Sequence, residues 1–276
     1  MIKAAFITPH SPILIPAIGK ANSLILAKTA SAFKEIEQRL IEKEIDTIVI
    51  ISSHAATPEK CFAANVAPEL ELKFENFGDY STKSKLAGDM ELATLLSENI
   101  STDNAPLRLT TEISLDHGSA IPLYLSTSAK PDIKIVPLSC SELNRQAHLD
   151  FGRTLQKTLL ESQKKIALIA SGELSHRLKK SAPAGYSPKG AKFDNKVIEY
   201  ASDPEKGGEK LVNLDDTLIK DVSECGLRAI IVLLGILQGL PYESHTLCYQ
   251  NDFGVGHLTM EMEMLDNKRI KDALLA

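Results

Sequence analysis

The run Ile2-Lys-Ala-Ala-Phe-Ile-Thr8 breaks into Pro9-His10-Ser11-Pro12, and the run Asp46-Thr-Ile-Val-Ile-Ile51 breaks into Ser52-Ser53-His54. Each is an apolar stretch of strand length stopped by residues that favour turns. Between them Leu24, Ala27, Ala30, Phe33, Ile36 and Leu40 recur at three- and four-residue intervals, the period of one helix face, over about residues 23 to 43. Strand, helix and strand in that order make a βαβ unit with parallel strands. The second strand has no polar alternation, as expected when helices cover both faces of a sheet.

The alternation is interrupted and then resumes. Residues 70–77 and 107–110 read as short mixed strands around a helix at 86–98. A short helix at 119–125, a strand at 133–138, a helix at 143–163 and a buried strand at 165–170 follow. Helices are expected near 193–200, 218–221 and 224–238, and strands near 245–250 and 257–264. This order predicts an α/β fold with one mostly parallel central sheet, helices on both faces and a mixed or antiparallel edge from the last two strands. The whole of 1–276 reads as a single domain, with no repeat or low-complexity segment. Such sheets bind ligands outside the carboxyl ends of their strands.

Composition narrows the function. Hydrophobic residues make up 43% and charged residues 24%, and Lys+Arg 31 against Asp+Glu 36 gives a net charge of -5, which argues against a nucleic-acid partner. The apolar run 229–237, broken by Gly235, is too short to span a bilayer, so no membrane partner is expected. Cys61, Cys140, Cys225 and Cys248 are scattered and form no C-x-x-C pair, and no signal-like leader precedes them. Disulfides are not expected, and a cytoplasmic location is.

Of seven histidines, His10, His54 and His176 each come just after a predicted buried strand, so all three share one sheet edge. His117, in Leu115-Asp-His-Gly118, opens a predicted helix and can join the same cleft. A single histidine in such a place is more often a satisfied turn or core residue; their convergence points to a metal. Two imidazoles and one carboxylate on one face, with open positions left, suit non-haem Fe(II). For the carboxylate the sequence offers Glu173, three residues before His176, and Glu224, ahead of a strongly apolar helix whose dipole an acid there would offset. Cys225 is a third option, as a thiolate or as a small buried side chain. The loop 179–192 carries four lysines, either a lid for an acidic substrate or a solvated surface loop. Phe253-Gly-Val-Gly256 lacks the context of a dinucleotide fingerprint and reads as a turn or bulge.

With these residues in place the chain resembles the class III extradiol ring-cleavage dioxygenase superfamily, the LigB-like proteins. Thr8-Pro-His-Ser-Pro12, Leu115-Asp-His-Gly-Ser-Ala-Ile-Pro-Leu123, Ser171-Gly-Glu-Leu-Ser-His-Arg-Leu178, Gly190-Ala-Lys-Phe-Asp194, Glu224-Cys-Gly-Leu-Arg228 and Phe253-Gly-Val-Gly256 are similar to the LigB-like half of the Memo and radical-SAM associated (AmmeMemoRadiSam) proteins. The likeness runs over almost the whole chain.

The resemblance implies that His10, His54 and Glu224 hold Fe(II), with zinc or another divalent metal suited to the same site, and that His117 and His176 act as acid–base groups on oxygen and substrate. It implies a small catechol-type aromatic substrate, dioxygen as co-substrate and self-association into a homo-oligomer. Memo-like members place a cysteine near the carboxylate position, so with Glu224 and Cys225 adjacent a second reading is implied. In it the chain is a metal-binding redox or accessory partner without ring-cleaving activity. A third, zinc-dependent hydrolysis, needs the same His, His and Glu set around an open position. The fused relatives carry a second domain, for which the residues after Met264 are too few.

Overall fold

The computed structural model describes residues 1–55, 60–99 and 106–265. Among them ten strands form one mixed sheet: β1 (Ile2–Thr8), β2 (Thr47–Ser52), β3 (Phe62–Asn65), β4 (Glu69–Phe74), β5 (Asp79–Gly88), β6 (Leu107–Thr110), β7 (Lys134–Ser139), β8 (Ile166–Ser171), β9 (Tyr242–Gln250) and β10 (His257–Met264). The helices are α1 (Pro16–Gly19), α2 (Ala27–Glu42), α3 (Met90–Asn99), α4 (His117–Ser126), α5 (Arg145–Glu161), α6 (Gly190–Ala201), α7 (Gly207–Val212), α8 (Asp216–Lys220) and α9 (Leu227–Leu237).

The sheet order is β4-β5-β7-β2-β8-β1-β10-β9, with β3 and β6 attached through β7. β5, β7, β2, β8 and β1 run parallel, which sets the ends of β1, β2 and β8 side by side. Beyond β1 the sheet turns antiparallel through β10 and β9, and beyond β5 it does so again through β4. The predicted antiparallel edge is therefore present, with a second one on the other side.

All six residues of β2 are buried, and alternate ones serve two cores. Val49 and Ile51 belong with α5, α6 and α9; Ile48 and Ile50 belong with α2 and α4. At about 25 cal/mol per Å² of apolar surface removed from water, this double coverage holds the central strands rigid and fixes where their carboxyl ends lie.

Several expectations are corrected. Residues 86–88 continue a strand, β5, and the helix begins only at Met90; β3 and α7 appear where no element was expected. The last long helix starts at Leu227, not at Glu224, because residues 221–226 are occupied in a turn that bonds back to the loop after β8. Residues 266–276, after Met264, lie outside the described residues.

Asp194, on α6, is fully buried and locks this loop: Oδ1 accepts the Ser175 N–H at 2.9 Å and Oδ2 accepts the Tyr249 hydroxyl at 2.6 Å. Burial pushes its carboxyl up to about 6, against those two donors. Its ordinary value is 3.8. Between those pH values the folded chain keeps a proton that the unfolded chain has lost, so Asp194 favours folding below pH ~4 and that contribution is gone above pH ~6, a change on the order of 2 to 3 kcal/mol. Replacing Asp194 by Asn removes this dependence. Thermal unfolding should then show the Asn variant gaining roughly 5 °C on the parent between pH 4 and pH 7. A difference that stays constant with pH would show that Asp194 ionises normally.

Candidate metal centre

Local structure brings the histidines together. β1 ends at Thr8, so His10 falls two residues beyond it and is buried, 2% exposed. Its Nδ1 lies 3.0 Å from the Ser171 hydroxyl at the end of β8, and that hydroxyl donates to the Gly118 carbonyl. A hydroxyl has one proton, so Ser171 accepts from Nδ1–H and leaves the Nε2 lone pair of His10 free to face the cleft.

Asp116 positions the other two rings through the backbone elements that carry them. It caps α4 by accepting the Ser119 N–H and hydroxyl, and it accepts the Ser52 hydroxyl at 2.6 Å. The end of β2 is thereby tied to the start of α4, and the rings of His54 and His117 come to 4.3 Å between centroids. His10 Nε2 is 3.1 Å from His54 Nε2. Two nitrogens that share one ion at about 2.0–2.1 Å are about 2.9 to 3.4 Å apart at octahedral to tetrahedral angles, so this spacing suits a common metal.

One nitrogen from each of His10, His54 and His117 lies within 4.8 Å of the others. A second group of the same tightness joins His10 to Glu173 and Cys225, so His10 is the pivot between two donor sets. Burial holds the His10 pKa down at about 4, and partial desolvation with His117 alongside lowers that of His54. At neutral pH both rings are uncharged, the state in which imidazole binds metals.

On the far side of His10, Glu173 Oε2 is 3.8 Å from His10 Nε2 and 3.0 Å from His176 Nε2, while Oε1 is 3.8 Å from His257 Nε2. Burial alone would raise the Glu173 carboxyl, but the surrounding imidazoles His10, His176 and His257 reverse this and bring it to about 2. His176 Nδ1 meets the Ser223 carbonyl, which can only accept, and Nε2 meets the Glu173 carboxylate, which can only accept once ionised. Both nitrogens must therefore carry protons. Burial would lower the His176 pKa, yet the Glu173 bond and charge raise it above its ordinary value.

Glu224 is placed differently from the expectation. Its Oε2 accepts the Leu227 N–H at 2.7 Å at the start of α9, and it belongs to neither donor group among the described residues. The physical reason is a backbone turn: the Glu173 carbonyl accepts the N–H groups of both Cys225 and Gly226, which points Cys225 inward and Glu224 along the helix. Cys225 Sγ stands 3.4 Å from His10 Nε2, and burial raises its thiol pKa, so that it keeps its proton.

His257 was missed in the sequence. It begins β10, and the start of an antiparallel strand lies at the same edge as the ends of parallel ones, so the signal was available once β10 was read as antiparallel. His148 is a satisfied core residue, held by the Asn144 carbonyl and the Ser141 N–H. His245 lies away from the cleft on β9.

The family described as the catalytic LigB subunit of aromatic ring-opening dioxygenase matches residues 4–258, nearly the whole chain. The chain belongs to the LigB family. Protein CA_C1420 of Clostridium acetobutylicum is 29% identical over 275 residues, covering 96% of this chain but only 58% of that relative. Among solved structures, the uncharacterized protein JW3007 from Escherichia coli K12 has the same fold, with a TM-score of 0.67 and 20% identity over 94% of this chain and 99% of its own. The LigB fold thus carries the cleft described above. No helix among the described residues is long and apolar enough to cross a membrane.

If Ser171 sets the tautomer of His10, Ser171→Ala should weaken metal binding 10- to 100-fold, the usual cost of losing a partner behind a ligand. Competition against a fluorescent chelator reads this directly, and unchanged affinity would remove Ser171 from the site.

Proposed function

We propose that the chain is a non-haem Fe(II)-dependent extradiol dioxygenase that opens a catechol-type ring with dioxygen. The observation that carries this reading is the 3.1 Å approach of His10 and His54 with His117 and the Glu173–His176 pair on either side. His10 and His54 would hold the metal, and Glu173 would supply the carboxylate in place of Glu224, since it is the ionised donor next to His10. Bound there, the metal supplies Lewis acidity and the one-electron chemistry that lets dioxygen react with a ring.

The protein's own groups handle the protons. His176 Nδ1 is fixed on the Ser223 carbonyl, so the atom that exchanges a proton is Nε2, and Glu173 balances the resulting charge. Nε2 is protonated and bonded to Glu173 at rest, so it would take a substrate hydroxyl proton only after its own proton has left to solvent, and would return the substrate's proton at ring opening. His117, at the first turn of α4 with its ring beside that of His54, would be the donor toward oxygen.

A second reading is favoured by Cys225, whose sulfur is nearer to His10 Nε2 than any Glu173 oxygen. Two imidazoles and a thiolate suit Cu(I) or zinc better than Fe(II), which would make the chain a metal-binding redox or accessory protein without ring cleavage.

Anaerobic loading with Fe(II), then oxygen uptake against a panel of catechols, separates the two. Uptake should be lost in Glu173→Ala, falling at least about 100-fold, and should persist within about tenfold in Cys225→Ala. No uptake with any catechol, together with metal retention that depends on Cys225, would reject the dioxygenase reading.

A further inference from the structure

An apolar cavity of about 440 Å³ borders Glu173, His176 and His257. Its walls are Pro12, Ile13, Pro183, Ala184, Phe253 and Val255. A cavity of roughly 150 Å³ holds benzene, so this one accommodates a single ring with a sizeable substituent.

Charge decides what that substituent is. No Lys or Arg lines the cavity among the described residues. The loop 179–192 turns Pro183 and Ala184 toward the cavity, whereas Lys179 binds the Asp252 carbonyl and Lys189 pairs with Asp221 at 2.8 Å. Arg177, next to His176, donates to the carbonyls of Asp221 and Tyr186. Both nitrogens of His176 are engaged, by the Ser223 carbonyl and the Glu173 carboxylate, so neither is left to meet an anion. An acidic substituent entering here meets apolar walls and the Glu173 carboxylate, with no Lys or Arg to receive it and His176 already bonded at both nitrogens, which costs far more than leaving it in water.

We propose that this cavity selects uncharged rings bearing an apolar substituent and rejects rings bearing a carboxylate. The aspect of acidic-substrate capture by a lysine lid is thereby reversed: the loop contributes an apolar wall. The assignment of the cavity as the substrate's place rests on the ring-opening reading above, but the charge selection itself does not require turnover.

Titration calorimetry on the Fe(II)-loaded chain under anaerobic conditions tests it with two matched pairs. These are ethylcatechol against dihydroxybenzoate, and ethylphenol against hydroxybenzoate, the second pair lacking the paired hydroxyls that chelate a metal. In each pair the neutral ring should bind at least about tenfold more tightly. Ala184→Arg, at an exposed position on the wall, should bring that ratio below about threefold by supplying the missing cation. Acids that bind as tightly as the neutral rings would overturn the proposal, as would a ratio that Ala184→Arg leaves unchanged. Oxygen uptake separates the two ideas: neutral rings preferred but none consumed leaves the selection standing and removes ring opening, while acids bound equally and opened does the reverse.

Discussion

Replacing His10 by alanine is expected to lower the affinity for Fe(II) or Zn(II) by more than about 100-fold, beyond what loss of an outer partner costs. The reason is geometric. Among the described residues His10 is shared by the His54–His117 group and the Glu173–Cys225 group, and its Nε2 lies 3.1 Å from His54 Nε2 and 3.4 Å from Cys225 Sγ. Either reading of the third ligand loses its anchor when this ring goes. His148→Ala is the control: His148 is equally buried, with its pKa also lowered to about 4 by burial, yet it faces Phe62 and not the cleft. Its replacement should cost stability and leave metal affinity within about threefold. Equal losses of affinity in both variants, measured by chelator competition on samples with native circular dichroism, would show that His10 acts through the fold alone.

Gly172→Ala is expected to destabilise the protein by about 3 kcal/mol or more and to disperse the second donor group. A Cβ at Gly172 would sit 2.0 Å from Gly226 Cα and 2.9 Å from Gly226 N, and these are backbone atoms that cannot rotate aside. This contact joins the end of β8 to the start of α9, the two segments that carry Glu173 and Cys225. At about 2 to 4 °C per kcal/mol, the melting temperature should fall by roughly 6 to 12 °C. Metal affinity should fall with it even in the cold, where the variant is still folded, because the carbonyl of Glu173 can no longer hold both Cys225 and Gly226 N–H. A variant that melts like the parent would mean that the chain relaxes locally at little cost.

The parts of the fold legible in the sequence are those whose pattern is set by burial. β1, β2 and β8 are apolar runs ending in polar turns because helices cover them on both sides. β5 was not legible because most of its residues, such as Tyr80, Ser81 and Lys83, face solvent, and its strand state comes from pairing with β4. β3, Phe-Ala-Ala-Asn, offers two alanines and little β-propensity, and is held by β6 and β7.

The site divides along the same line. His10 and His54 follow buried strands closely, and that alone puts them at one sheet edge. The choice between Glu173 and Glu224 was not legible, because it turns on which way a loop presents adjacent residues. Two backbone bonds from Cys225 and Gly226 to one carbonyl set that presentation. The family resemblance favoured Glu224; the residue pattern had also offered Glu173, which is where the carboxylate next to His10 stands.

The measurement that bears most directly on ring opening is the fate of isotopically labelled dioxygen in the product formed from a neutral catechol by the Fe(II)-loaded chain. Both labelled atoms should appear in a yellow, ring-opened product, with one dioxygen consumed per ring. A product carrying one labelled atom or none, or an untouched ring in the presence of a fully loaded His10–His54 centre, would contradict it.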